Sequence, residues 1–130
     1  MTMELIYLTL TAGLCLVLWL PYIAADAMKG GLPTPEEYRT TAGRERVDWA
    51  RRAHRAHLNL VENLPIFAVL VLVAHVAGIS SDLVTTSIAV FFWARVAYTI
   101  IYLLGVPYLR TLAFAIGTFA QIGILIGILQ

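Results

Sequence analysis

Four stretches of this chain are almost free of charge, and each is about as long as a bilayer is thick. Glu4 and Asp26 bracket 21 uncharged residues, and Glu62 and Asp82 bracket 19. Residues 83–109 carry one charge, Arg95, and residues 111–130 carry none. A helix crossing hydrocarbon needs about 20 mostly apolar residues. The pattern therefore predicts spans at about 5–25, 52–77, 82–104 and 107–129. Helices are the form expected, because in lipid each segment must satisfy its own backbone hydrogen bonds. Only 13% of the residues are charged and mean hydropathy is +0.81, whereas a soluble domain carries about 25% charge. The expected fold class is an all-α integral membrane protein, an antiparallel four-helix transmembrane bundle. At 130 residues it is one domain, 1–130.

The charges that remain are concentrated. Residues 26–62 hold 13 of the 17. Gly30–Pro33 reads as a turn. Thr34, Pro35 and Glu37 read as N-cap, first helical residue and capping-box partner of a short helix. Gly43–Arg55 reads as the solvated start of the second long helix, with Asp48 a candidate cap. The later connections, at 78–82 and 105–107, are short, which makes sequential helices antiparallel neighbours. Lys29, Arg39, Arg44, Arg46, Arg51, Arg52 and Arg55 gather in or beside the first connection, and Arg110 follows the third. The positive-inside rule then places loop 26–51 and loop 105–109 in the cytoplasm and both termini outside. In a bacterium the membrane would be the inner one. Trp19, Tyr22 and Tyr108 stand where interfacial aromatics belong. A cleaved signal peptide is the competing reading of residues 1–27, since Ala25-Asp26-Ala27 resembles a cleavage site. Glu4, the lack of a basic n-region and the length of the apolar run argue against it.

Polar groups inside the spans are the candidate functional residues, because each costs several kcal/mol to desolvate. Arg52, Arg55, Asn59 and Glu62 share one stripe of the second span. Arg95, Tyr98 and Tyr102 share a stripe of the third. Arg110, Thr111, Phe114, Thr118 and Gln121 share a face of the fourth. At ~1.5 Å per residue, Glu62 lies roughly 10 Å and Arg95 roughly 14 Å inside the same end, so a buried ion pair or shared hydrogen-bond network is expected between them. His54 and His57 stand at i, i+3, but no Cys or paired carboxylates accompany them, so no metal site is expected. Cys15 lies alone in an apolar run, so no intrachain disulfide can form. Gly123 and Gly127, with Ala113 and Gly117, form a small-xxx-small pattern that favours oligomerisation. The net charge of +1 gives no indication of nucleic acid as a partner.

Arg55-Ala56-His57-Leu58-Asn59, then Glu62-Asn63 and Pro65-Ile66-Phe67, resembles the second-helix signature of the MAPEG family, membrane-associated proteins in eicosanoid and glutathione metabolism. Arg95-Val96-Ala97-Tyr98-Thr99-Ile100-Ile101-Tyr102-Leu103 resembles its third-helix signature. Arg110-Thr111 stands where family enzymes have a functional arginine followed by a small hydroxyl residue. The resemblance implies a homotrimer with glutathione, as co-substrate, bound at subunit interfaces. It also implies transferase, peroxidase or isomerase chemistry on a small lipophilic electrophile delivered from the lipid bilayer. Carried over by position, Arg55, Asn59 and Glu62 would hold the tripeptide's charged ends, Tyr98 and Tyr102 would line the site, and Arg110 with Thr111 would face the sulfur. One isomerase branch has histidine in place of Tyr98, arginine in place of Leu58 and tyrosine in place of Phe114. Leu58 agrees instead with the microsomal glutathione transferase branch.

Two other classes fit parts of the pattern. A catalytically silent member would use the scaffold to bind a lipid, a partner or another thiol. A small multidrug-type transporter would need a membrane carboxylate, typically in the first span, and that span has none.

Overall fold

The computed structural model describes residues 1–40 and 43–130. α1 (Met3–Val17) and α2 (Leu20–Gly30) together make the first span, and α3 (Pro35–Arg39) is a short helix in the basic connection. α4 (Asp48–Val76), α5 (Asp82–Leu104) and α6 (Leu109–Leu129) are the other three spans. Among the described residues there is no strand, and four helical segments are long and apolar enough to cross a membrane. The fold is a four-helix transmembrane bundle.

The first span departs from the expected single helix. It breaks at Leu18–Trp19 and runs on to Gly30. Pro21 is the cause: it has no N–H to give the Val17 carbonyl, and its ring crowds that carbonyl. α4 also begins later than the expected Gly43. Val47, in extended conformation, takes the N-cap position, and Asp48 sits in the first turn, 3.4 Å from Arg51. Asp48 is therefore not the cap. It still complements the positive end of the helix.

The capping box forms as expected. Thr34 N–H donates to Glu37 Oε2 at 2.6 Å, and Glu37 N–H donates to Thr34 Oγ1 at 3.3 Å. Arg44 completes the loop by donating to both Glu37 oxygens at 2.8 Å and to the Gly31 carbonyl at 2.8 Å. These donors hold the Glu37 carboxyl well below the usual carboxylate range, at about 2, with Arg44 the largest cause. At the C-terminus of α2, Gly31 takes a φ of 66°, which suits a residue without Cβ.

The core divides along the bundle axis. Toward the Gly78–Ser81 connection, Phe67, Val71 and Ala74 of α4 meet Val84, Ile88 and Phe91 of α5 and Ala120 and Ile124 of α6. Phe67 and Phe91 stack with centroids 4.0 Å apart. At that same end Ser80 and Thr85 both donate to the buried Glu4 carboxylate, at 2.8 and 3.1 Å. At the opposite end the buried cluster is Ala56, Tyr98, Tyr102 and Ala113. Outward faces carry Leu16, Val69, Trp93 and Phe119, all well exposed, as lipid-facing residues are.

The glycine pattern of α6 acts within the subunit. A Cβ on Gly123 would lie 2.5 Å from Ser87 Oγ, and one on Gly127 would lie 2.5 Å from Val84 Cγ2. A Cβ on Gly117 would overlap the Arg95 guanidinium, 2.8 Å from Cζ. These glycines admit α5 of the same chain, where the sequence pattern favoured contact between subunits. Ala113, of the same pattern, is buried against the Tyr98–Tyr102 cluster.

Candidate functional site

Arg95 is the organising residue. Its side chain is 1% exposed, on the buried face of α5. Nη1 donates to Asn59 Oδ1 of α4 at 2.8 Å, and Nη2 donates to the Phe114 carbonyl of α6 at 3.2 Å. Nε has no partner among the described residues. The rings of Phe91, Tyr98 and Phe114 lie 5.2, 5.6 and 5.4 Å from Cζ. A cation in so apolar a place is held by hydrogen bonds and ring faces.

This corrects the expected pairing with Glu62. Arg95 takes Asn59, one turn before Glu62, and Glu62 is exposed on the outer side of α4. Three residues of helix turn the side-chain direction by about 60°, enough to send Asn59 inward and Glu62 outward. Asn59 is thus shared: its carbonyl accepts from Asn63 Nδ2 at 2.7 Å, and Asn63's own carbonyl accepts from Gln121 Nε2 at 3.1 Å.

One turn and two turns past Arg95, Tyr98 and Tyr102 lie side by side, with centroids 5.5 Å apart. Arg110, in the first turn of α6, rests 5.1 Å from the Tyr102 ring centre. Arg55, Tyr98, Tyr102, Arg110, Thr111 and Phe114 then line one cavity of about 300 Å3. Five of the seven residues expected to form the catalytic and binding site therefore meet. Asn59 stands behind the wall, bound to Arg95, and Glu62 lies outside the cavity lining. Thr118, on the α6 face expected to be polar, donates to the Phe114 carbonyl.

A second cavity, about 500 Å3, shares Tyr102, Arg110 and Thr111 as its wall and adds Arg52 and the 105–108 turn. The sequence placed Arg52 on the stripe of Arg55, Asn59 and Glu62 without giving it a role. Here its Nε donates to the Leu103 carbonyl at 3.2 Å and closes the C-terminus of α5. That bond depends on where α5 ends in space, which helical spacing in α4 does not reveal. Gly117 was read only as a packing glycine, yet it is the hole that admits Arg95.

His54 and His57 belong to a different cluster. Arg46 grips Asp26 through three contacts of 2.8–3.1 Å and lies 4.9 Å from the Tyr22 ring centre. Arg46 Nη1 is 3.1 Å from His54 Nδ1, and Tyr22 Oη is 2.7 Å from His57 Nδ1. The cluster ties α2 and the basic loop to α4. Arginine has no acceptor, so His54 accepts through an unprotonated Nδ1.

A sequence model of the MAPEG family matches residues 5–130. The chain belongs to the MAPEG family. No curated protein shows significant similarity to it. Membership makes the chain an integral membrane protein of a family that includes glutathione transferases. Of the residues that carry the resemblance, Arg55, Asn59, Arg95, Tyr98, Tyr102, Arg110 and Thr111 gather at the Arg95 end of the bundle, whereas Phe67 lies in the apolar cluster at the other end.

Proposed function

We propose that this MAPEG protein is a membrane-bound, glutathione-dependent transferase or peroxidase acting on lipophilic electrophiles, closest in chemistry to the microsomal glutathione transferases. The observation that carries the reading is Arg110, laid against Tyr102 in a cavity it shares with Arg55, Tyr98 and Thr111. The donor set suits a tripeptide with two carboxylates and one ammonium. Arg55 lines the cavity and is available to a carboxylate; Asn59 acts from behind by fixing Arg95, and Glu62, outside the lining, would meet the ammonium from the edge of the site.

A thiol has an ordinary pKa of ~8.5, and an adjacent arginine and helix N-terminus lower it. Arg110 supplies both influences, being in the first turn of α6. The thiol proton leaves to solvent, and the Arg110 guanidinium stabilises the thiolate, with Thr111 a further donor. The thiolate attacks the electrophilic carbon, and the new C–S bond forms as the leaving group departs with its electron pair. The electrophile arrives from the bilayer between helices.

The oligomer of this reading is a homotrimer, and Glu62 supports the association of copies. A carboxylate roughly 10 Å inside a membrane helix and exposed on a single subunit needs a polar neighbour, and a second copy placed against α4 supplies one. Loops 26–51 and 105–109 face the cytoplasm in this reading, with both termini outside.

Ultraviolet difference absorbance tests the proposal. Glutathione titrated into detergent-solubilised protein near neutral pH should give a saturable thiolate signal, absent in Arg110→Ala. A folded oligomer without that signal would overturn it in favour of a catalytically silent member.

A further inference from the structure

The larger cavity, on the far side of the Tyr102–Arg110 wall, has its own character. Two guanidinium groups, from Arg52 of α4 and Arg110 of α6, line it, and no Asp or Glu does. Neither arginine takes part in an ion pair among the described residues. Each is nevertheless held in place. Arg52 is oriented by its Nε bond to Leu103 and lies along Gly105, where a Cβ would come 3.4 Å from Cζ. Gly105 adopts a φ of 71°, so the absence of a side chain serves both the turn and the arginine. Arg110 is held by the Tyr102 face. The cavity also meets the first turn of α6, whose dipole adds partial positive charge. Unlike Arg95, these two cations have neither buried hydrogen-bond partners for both Nη groups nor a cage of rings.

Fixed guanidinium forks without a carboxylate partner are suited to bidentate contact with planar or tetrahedral oxyanions. We propose that this cavity is an oxyanion subsite, distinct from the chamber lined by Arg55 and Tyr98, that takes a carboxylate or phosphate group between Arg52 and Arg110. The group belongs either to a soluble ligand or to the headgroup of an anionic lipid. The interfacial position of the 105–108 turn gives both access. The subsite shares Arg110 with the proposed thiolate chemistry but needs no thiol and no turnover; its test is therefore placed on Arg52, and failure there would leave the transferase reading standing.

The test is calorimetric titration of the detergent-solubilised, full-length protein. The two probes are inorganic phosphate and a short-chain phosphatidylglycerol, and the variants are Arg52→Gln and Arg52→Lys. Glutamine keeps a donor for the Leu103 carbonyl while removing the charge. Saturable phosphate binding, weakened at least about 10-fold in Arg52→Gln and to a lesser degree in Arg52→Lys, which keeps the charge but not the fork, identifies a soluble anion. Saturable binding of the lipid alone, with the same dependence on Arg52, identifies a headgroup. Binding of neither probe, or binding unchanged in Arg52→Gln, overturns the subsite. A second readout needs only the natural sequence: the bound probe should slow phenylglyoxal modification of Arg52, measured by mass spectrometry. Unchanged modification under saturating probe also overturns it.

Discussion

Near the Gly78–Ser81 connection, the bundle closes around Phe67, Phe91, Ile88 and Ile124, an apolar cluster with stacked rings. Near the 105–108 turn it closes around Arg95, Tyr98, Tyr102 and Arg110, with two cavities between the side chains. The same α4, α5 and α6 build both halves. In lipid, water expulsion does not drive helices together, so the first half relies on close van der Waals packing and small residues. The second half relies on directed hydrogen bonds to one buried cation, and tolerates empty volume. The first can hold helices together without chemistry. The second keeps polar groups at fixed positions, which chemistry requires.

The sharpest way to break the comparison is at Phe67. Phe67→Ala should cost about 3–5 kcal/mol, since a fully buried ring is lost and a cavity remains. Denaturant unfolding in detergent would measure it, while the glutathione thiolate signal per folded oligomer should hold. Loss of that signal in a folded variant would mean the halves are not independent. Arg110→Ala should do the reverse. Under the proposed chemistry it lowers conjugation rate about 100-fold, the usual effect of removing one charge-stabilising donor, with unfolding nearly unchanged. A rate within a factor of two of the natural protein would refute the role.

Gly117→Ala should cost about 1–3 kcal/mol by overpacking, because its Cβ meets the Arg95 guanidinium. Gly13→Ala is the matched control. Nothing lies within 4 Å of that added Cβ, so the exchange should stabilise α1 by roughly 0.5–1 kcal/mol. Equal effects at both glycines would mean helix propensity alone is being measured. The smallest effect concerns neither half. Glu37 is depressed to about 2 from an ordinary value of 4.5, so its contribution is complete above pH 4.5 and disappears as pH falls through about 2. Protease resistance of the basic loop should therefore be full at pH 5 and decline as pH falls from about 4.5 to about 2, and Glu37→Gln should lower the resistance at pH 5 and remove that decline.

Much of the fold was legible because charge placement is a coarse, strong signal in a membrane helix. The capping box at Thr34 was legible because it is local. The break before Pro21 was available in the sequence, but the hydropathy of residues 5–25 masked it. The partner of Arg95 was not legible: depth along the axis pointed to Glu62, and only the rotation of α4 decides between Glu62 and Asn59. The direction of the α6 glycines was hidden for the same reason, since a period of four does not say which neighbour fills the groove. Arg55, Tyr98, Tyr102, Arg110 and Thr111 could be gathered from their stripes because each stripe faces the same end of the bundle. Arg52 shares the stripe of Arg55, but its hydrogen-bond partner depends on where α5 ends.

The overlap of a Gly117 side chain with Arg95 bears on how this sequence can drift. Positions 95 and 117 lie on different helices, yet they form one mutational unit. Any larger residue at 117 evicts the guanidinium, and loss of the arginine leaves a hole beside glycine and an unmatched acceptor, Asn59 Oδ1, while the Phe114 carbonyl keeps only Thr118 as a side-chain donor. Neither change is cheap alone. A lineage leaving this arrangement must pass through a weakened intermediate or exchange both residues together, so an alanine or larger residue at 117 is expected to accompany a shorter residue at 95.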